Sequence, residues 1–182
     1  MALPWKTRLE IRWLLRKQFN RQTQILGTAG QIPEKVLILL PADEDIARVA
    51  RHFIRRTTWV GNPGYRFLSQ PGGDEFYSFL KTQRSSWTES DLTRWGTLNR
   101  EVVSQVVPRS VDAVINLDPR PSPVWVDIIR RSPAWLKIGF NFPGAARLYN
   151  VLLAVQNGSY VERGYQIIKQ LLAAAKPKTL SI

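Results

Sequence analysis

"KVLILLPADEDIARVARHFIRR", Lys35 to Arg56, decides the fold. After one lysine, Val36 to Leu40 is unbroken apolar sequence, without the alternation of a strand that has one wet face. Such a run describes a strand buried on both sides, as in a parallel sheet covered by helices. The period then changes. Ile46, Val49, Ala50 and Phe53 recur at helical spacing. Asp43 stands where a side chain can cap a first turn, and Glu44 and Asp45 follow where the helix dipole favours acid. The stretch predicts a strand, a tight turn and a helix.

Working outward, the same arrangement returns. "VDAVINL" (Val111 to Leu117) is a second buried-strand run, and Ser122-Pro123 opens a helix over "VWVDIIRR", proline being well placed at a first helical position. "WLKIGF" (Trp135 to Phe140) and "LYNVLLAV" (Leu148 to Val155) predict two more strands. "SYVERGYQIIKQLLAAAK" (Ser159 to Lys176) predicts a closing amphipathic helix stopped by Pro177. Between Thr57 and Trp87, runs broken by Asn62-Pro63-Gly64 and Pro71-Gly72-Gly73 read as two short strands with turns. Glu89 to Pro108 reads as a turn and then a helix. The fold class is therefore α/β: a single open, mostly parallel sheet with helices on both faces, Rossmann-like, over residues 31–176. Residues 1–30 precede it as a basic amphipathic helix and linker, and 177–182 follow as a short tail.

The opening segment is the unusual one. Pro4 to about Gln24 predicts a helix with an apolar stripe of Leu9, Ile11, Trp13, Leu14, Leu15 and Phe19. Arg8, Arg12 and Arg16 repeat on another side. Among the first 30 residues, Lys6, Arg8, Arg12, Arg16, Lys17 and Arg21 stand against Glu10 alone. The whole chain shares the bias, with 26 Lys and Arg against 14 Asp and Glu, a net charge of +12 over 182 residues. Solubility of a small domain asks for a net magnitude of about 2 to 8 with mixed signs. The surplus speaks to a polyanionic partner. The chain has no cysteine and one histidine, which excludes disulfides, thiolate chemistry and any multi-histidine metal centre. No apolar run reaches the roughly 18 to 20 residues of a membrane span. The N-terminus lacks the form of a secretory signal, so the expected location is cytoplasmic.

From Lys35 onward, "KVLILL", "VDAVINLDPRPSP" followed by a helix, and "LKIGF" resemble the N-terminal Rossmann-like half of the bacterial heptosyltransferases, which are GT-B glycosyltransferases. In that family a D-x-x-I-D-L strand, a helix and an R-x-G-F strand follow one another. More closely, "RWGTLNREV", "VDAVINL", "LKIGFNF", "LYNVLLAV" and "YVERGYQIIKQLL" look like a family of small bacterial proteins of unknown function sharing that half-fold. The resemblance covers about four-fifths of the chain. It implies a Rossmann-like core and a glycosyltransferase-like role in envelope glycan assembly with a partner. Two departures weigh against that role. A GT-B enzyme holds its sugar nucleotide mainly in a C-terminal domain, and this chain ends where that domain would begin. The Gly-Asp that follows the family's first strand is replaced here by "LLPADED".

Each candidate has a bland counterpart. His52, beside Phe53 and between Arg51 and Arg55, has no catalytic partner motif and reads as a surface or packing residue. "GTAG" (Gly27 to Gly30) and "PGGDE" (Pro71 to Glu75) match no phosphate-loop pattern and read as turns. Asp43 and Asp118 mark a candidate ligand edge, since open α/β sheets bind at the C-terminal ends of their strands; as a helix-start acid and a turn residue they need no ligand. Arg48, Arg51 and Arg55 form a stripe down one helix, with Arg56 adjacent. These four, with Lys6, Arg8, Arg12, Arg16, Lys17, Arg21 and Trp13, are the candidate nucleic-acid contacts, because the arginine fork suits phosphate and stacks on bases. Of the seven tryptophans, Trp5 and Trp13 are the ones set on the basic helix. The expected function is that of a non-enzymatic RNA-binding protein, associated with the ribosome or another ribonucleoprotein, needing no cofactor. A peripheral attachment to an anionic membrane surface and a protein partner are the alternatives for the first helix. Six neutralised phosphates would give a slope of log K against log salt on the order of −4 to −5.

Overall fold

The computed structural model describes residues 4–16, 33–154 and 161–174. Its strands are β1 (Val36–Leu40), β2 (Tyr65–Ser69), β3 (Arg84–Ser86), β4 (Ala113–Asn116), β5 (Leu136–Phe140) and β6 (Val151–Leu153). Its α-helices are α1 (Trp5–Arg16), α2 (Glu44–Arg55), α3 (Arg100–Val106), α4 (Pro123–Arg131) and α5 (Val161–Ala174). All strand pairs are parallel, in the order β3-β2-β1-β4-β5-β6. This is the Rossmann order, in which the chain starts centrally, builds outward to one edge and returns to build the other.

β1 sits at the centre because it can be dry on both faces. Val36, Ile38 and Leu40 enter one layer with Ala47, Ala50, Phe53 and Ile54 of α2 and Tyr165, Ile168 and Leu172 of α5. Leu37 and Leu39 point the other way, into a layer with Ile11, Leu14 and Leu15 of α1 and Val124, Trp125 and Ile128 of α4. Burying five such side chains contributes roughly 10 kcal/mol. The α2 start is as expected: Asp43 is its N-cap and its carboxylate accepts from the Ile46 amide at 3.4 Å. Ser122 precedes Pro123 at the start of α4 but makes no side-chain cap bond.

Two segments differ from the sequence reading, and a third lies partly outside what is described. Asp74 to Gln83, expected among turns, is a kinked 3-10 segment in which Lys81 takes a left-handed φ of 46°. "LYNVLLAV" gives only three strand residues; Leu148 and Tyr149 are buried in the preceding loop. The first helix is described to Arg16, and its expected extension to Gln24, with "GTAG", lies outside the described residues. No described helix is long and apolar enough to cross a membrane.

Candidate functional site

The basic helix is held to the body by a narrow stripe. Ile11, Leu14 and Leu15 are buried, Leu15 against the backbone at Gly144, and the Arg147 guanidinium donates to the Leu15 carbonyl at 3.2 Å. Leu9 and Trp13, placed on the same stripe by the sequence reading, instead face outward: Leu9 is 54% exposed and Trp13 41%. Trp5 joins them at 74%, so Trp5, Leu9 and Trp13 form an outer ribbon at i, i+4 and i+8. Lys6, Arg8 and Arg12 are exposed beside that ribbon and form no ion pair among the described residues. Glu10 is half-buried, its carboxylate lying against Gly96. Every exposed residue described between Trp5 and Leu15 is therefore Trp, Leu, Lys or Arg.

A second segment completes this face. The Thr93 amide donates to the Thr97 carbonyl at 2.7 Å and Gly96 takes a φ of 65°, closing a turn that sets Trp95 against Trp13. The two indoles stack with centroids 5.4 Å apart and planes 13° from parallel, and the Arg94 guanidinium lies 5.1 Å over the Trp95 ring. The sequence reading missed Trp95 and Arg94. Their signal was available: an Arg-Trp-Gly step inside a polar turn leaves tryptophan no core to enter. Trp59, Trp87 and Trp125, by contrast, are buried.

The α2 arginines are elsewhere. α2 covers the sheet face opposite α1, so the two basic helices do not line one surface. Arg48 pairs with Glu44, and Arg55 lies 4.7 Å over the Phe79 ring; Arg51 and Arg56 form no ion pair among the described residues. Arg48, Arg51, Arg55 and Arg56 therefore stand as a group apart from the α1 cations. The Arg16 side chain, Lys17 and Arg21 lie outside what is described.

Asp43 and Asp118 do converge, at the C-terminal edge where β1 and β4 send their helices to opposite faces. Arg120 pairs with Asp43 at 2.6 Å across that gap. Asp118 accepts from the Arg120 amide at 2.9 Å, from Gln70 at 3.2 Å and from the Trp125 indole at 3.4 Å. Below it, the Tyr77 hydroxyl donates to the Pro41 carbonyl and the Tyr165 hydroxyl to the Leu117 carbonyl, and burial raises both phenol pKa values, keeping them donors. Both carboxylates thus use their oxygens on the chain's own donors, as a helix-start acid and a turn residue would.

Asp118 nonetheless carries a measurable signature. Burial pushes its carboxyl from 3.8 up to about 6, Asp43 adding to the rise while the Arg120 amide, the Trp125 indole and the Arg120 charge oppose it. A folded value above the unfolded one means a contribution to stability that is complete below pH 4 and lost as the pH rises through 6. That contribution is on the order of 2–3 kcal/mol. A carboxyl-carbon NMR titration is expected to place the Asp118 midpoint near 6. A midpoint at the ordinary aspartate value would show that water reaches the carboxylate.

No family model, curated protein or solved structure matches the chain.

Proposed function

We propose that the protein binds RNA through the outer face of α1 and the Arg94–Trp95 turn, without catalysis. One observation carries this reading: every exposed residue described between Trp5 and Leu15 is a cation or a large apolar side chain, while Glu10 is half-buried against Gly96 at the edge of the Arg94–Trp95 turn. Solvation alone favours mixed charges on such a face. Lys6, Arg8, Arg12 and Arg94 supply phosphate contacts, and the indoles supply stacking surfaces.

The membrane-surface alternative shares the cations but fits the apolar part less well. An interfacial helix buries a broad apolar face about 5–10 Å deep. Here Ile11, Leu14 and Leu15 are already used against the body, and Leu9 is the single exposed aliphatic side chain described on α1. The glycosyltransferase-like alternative draws on the switch-point edge, whose carboxylates are occupied internally.

Four phosphate contacts give an expected slope of log K against log salt of about −3. Filter binding of ribosomal RNA across a salt series measures it. A flat response, with binding instead to anionic vesicles, would assign the face to a membrane.

A further inference from the structure

The RNA reading leaves open which form of RNA the face takes, and the arrangement of its apolar groups answers that. A duplex presents phosphate and ribose outward and hides the faces of its bases, so it would use the cations of α1 and leave the indoles idle. An unpaired strand offers both a phosphate backbone and exposed base faces. On α1 the two kinds of group are interleaved. Trp5 and Trp13 lie eight residues apart, about 12 Å along the helix axis, with Leu9 between them and Arg8 and Arg12 alongside. Trp95 and Arg94 extend the ribbon sideways as a flat stack, 47% of Trp95 being exposed. Stacking holds the Trp13 and Trp95 rings nearly coplanar in orientation, 13° apart. Flat surfaces with fixed orientation suit bases that must leave one another's stack, and a guanidinium plane adds another such surface.

We infer that this face binds a single-stranded segment of RNA in preference to a duplex, with phosphates on Lys6, Arg8 and Arg12 and bases stacked on Trp5 and at the Arg94–Trp95 step. The inference rests on the RNA reading above. It adds an aromatic requirement that a purely electrostatic contact lacks.

The test uses the full chain, with fluorescence anisotropy on three probes: a twelve-nucleotide uridine oligomer, a twelve-base-pair RNA duplex and phosphatidylglycerol-containing vesicles. The oligomer is expected to bind at least about tenfold more tightly than the duplex. Trp5→Ala is expected to weaken the oligomer roughly tenfold, the scale of one lost base stack, and to leave the duplex unchanged. Trp5→Phe is expected to restore most of the loss. Because Trp5 is largely exposed, these changes leave the fold intact, which circular dichroism verifies. Equal binding of oligomer and duplex, or an oligomer affinity indifferent to Trp5→Ala, would overturn the inference while the RNA reading stands. Failure of both nucleic acids to bind would overturn both, and capture by vesicles alone would identify the membrane as the partner.

Discussion

Reversing Arg8 and Arg12 together to glutamate is expected to weaken RNA binding roughly a hundredfold at moderate salt. Each guanidinium–phosphate contact is worth about 1.5 kcal/mol at the low end for a charged hydrogen bond. Two of them make about 3 kcal/mol, and each 1.4 kcal/mol is about a factor of ten. The salt slope is expected to shrink by about 1.5 as well, since two phosphates are no longer neutralised. Arg51→Glu with Arg56→Glu is the matched control. It changes the net charge by the same amount, but α2 lies across the sheet from α1. That pair is expected to alter affinity by no more than a few-fold. Equal losses from the two double variants would show that net charge alone drives binding. Neither pair takes part in an ion pair among the described residues, so thermal stability should hold in both.

Gly139→Ala is expected to be the most damaging single-atom addition to the sheet. Tyr149 lays its ring over β5 at this point, and a β-carbon there would fall 2.3 Å from Tyr149 Cζ and 2.4 Å from Cε1. The ring cannot withdraw freely, because the Asn116 amide donates to its hydroxyl at 2.9 Å inside the core. Overpacking costs about 1–3 kcal/mol, and stranding the buried amide adds about 1–3 kcal/mol. Alanine's better fit to a strand returns about 0.5–1 kcal/mol. The net loss is about 3 kcal/mol, or roughly 6–12 °C in melting temperature for a chain of this size. A thermal melt followed by circular dichroism measures it; a shift below about 2 °C would mean that the loop carrying Tyr149 can move away at little cost.

The parts of the fold legible in the sequence are those where one physical demand acts alone. β1 is buried on both faces along its whole length, and so is β4, and burial writes itself as the apolar runs Val36 to Leu40 and Ala113 to Ile115. α2 announces itself by a cap and a first turn of acids. β3 is three residues, Arg84-Ser85-Ser86, paired with β2 through its backbone, and nothing in its side chains marks a strand. The 3-10 segment from Asp74 bends at Tyr77 and Lys81, so its apolar residues follow no single period. Leu148 and Tyr149 looked like strand because they are apolar, yet they are buried as loop residues, Tyr149 because Gly139 leaves it room.

At the candidate interface, Lys6, Arg8 and Arg12 were found by charge, but their separation from α2 was not. Right-handed crossovers send helices to opposite faces only when strand order reverses, and that order is a long-range property no local window contains. Leu9 and Trp13 were misassigned for a related reason: a helix with apolar residues on most of its circumference does not say which of them the body will take.

The central position of β1 has a consequence for how the protein is made. Lys35 donates its amide to Asp112, 77 positions later, at the point where β1 and β4 begin to pair. Translation at about 5–20 residues per second leaves roughly 4–15 s between the emergence of these partners. During that interval one edge of a wholly apolar strand has no native neighbour. Until the second half of the sheet arrives, that edge is open to non-native pairing, and the step that closes it is the pairing of β1 with β4.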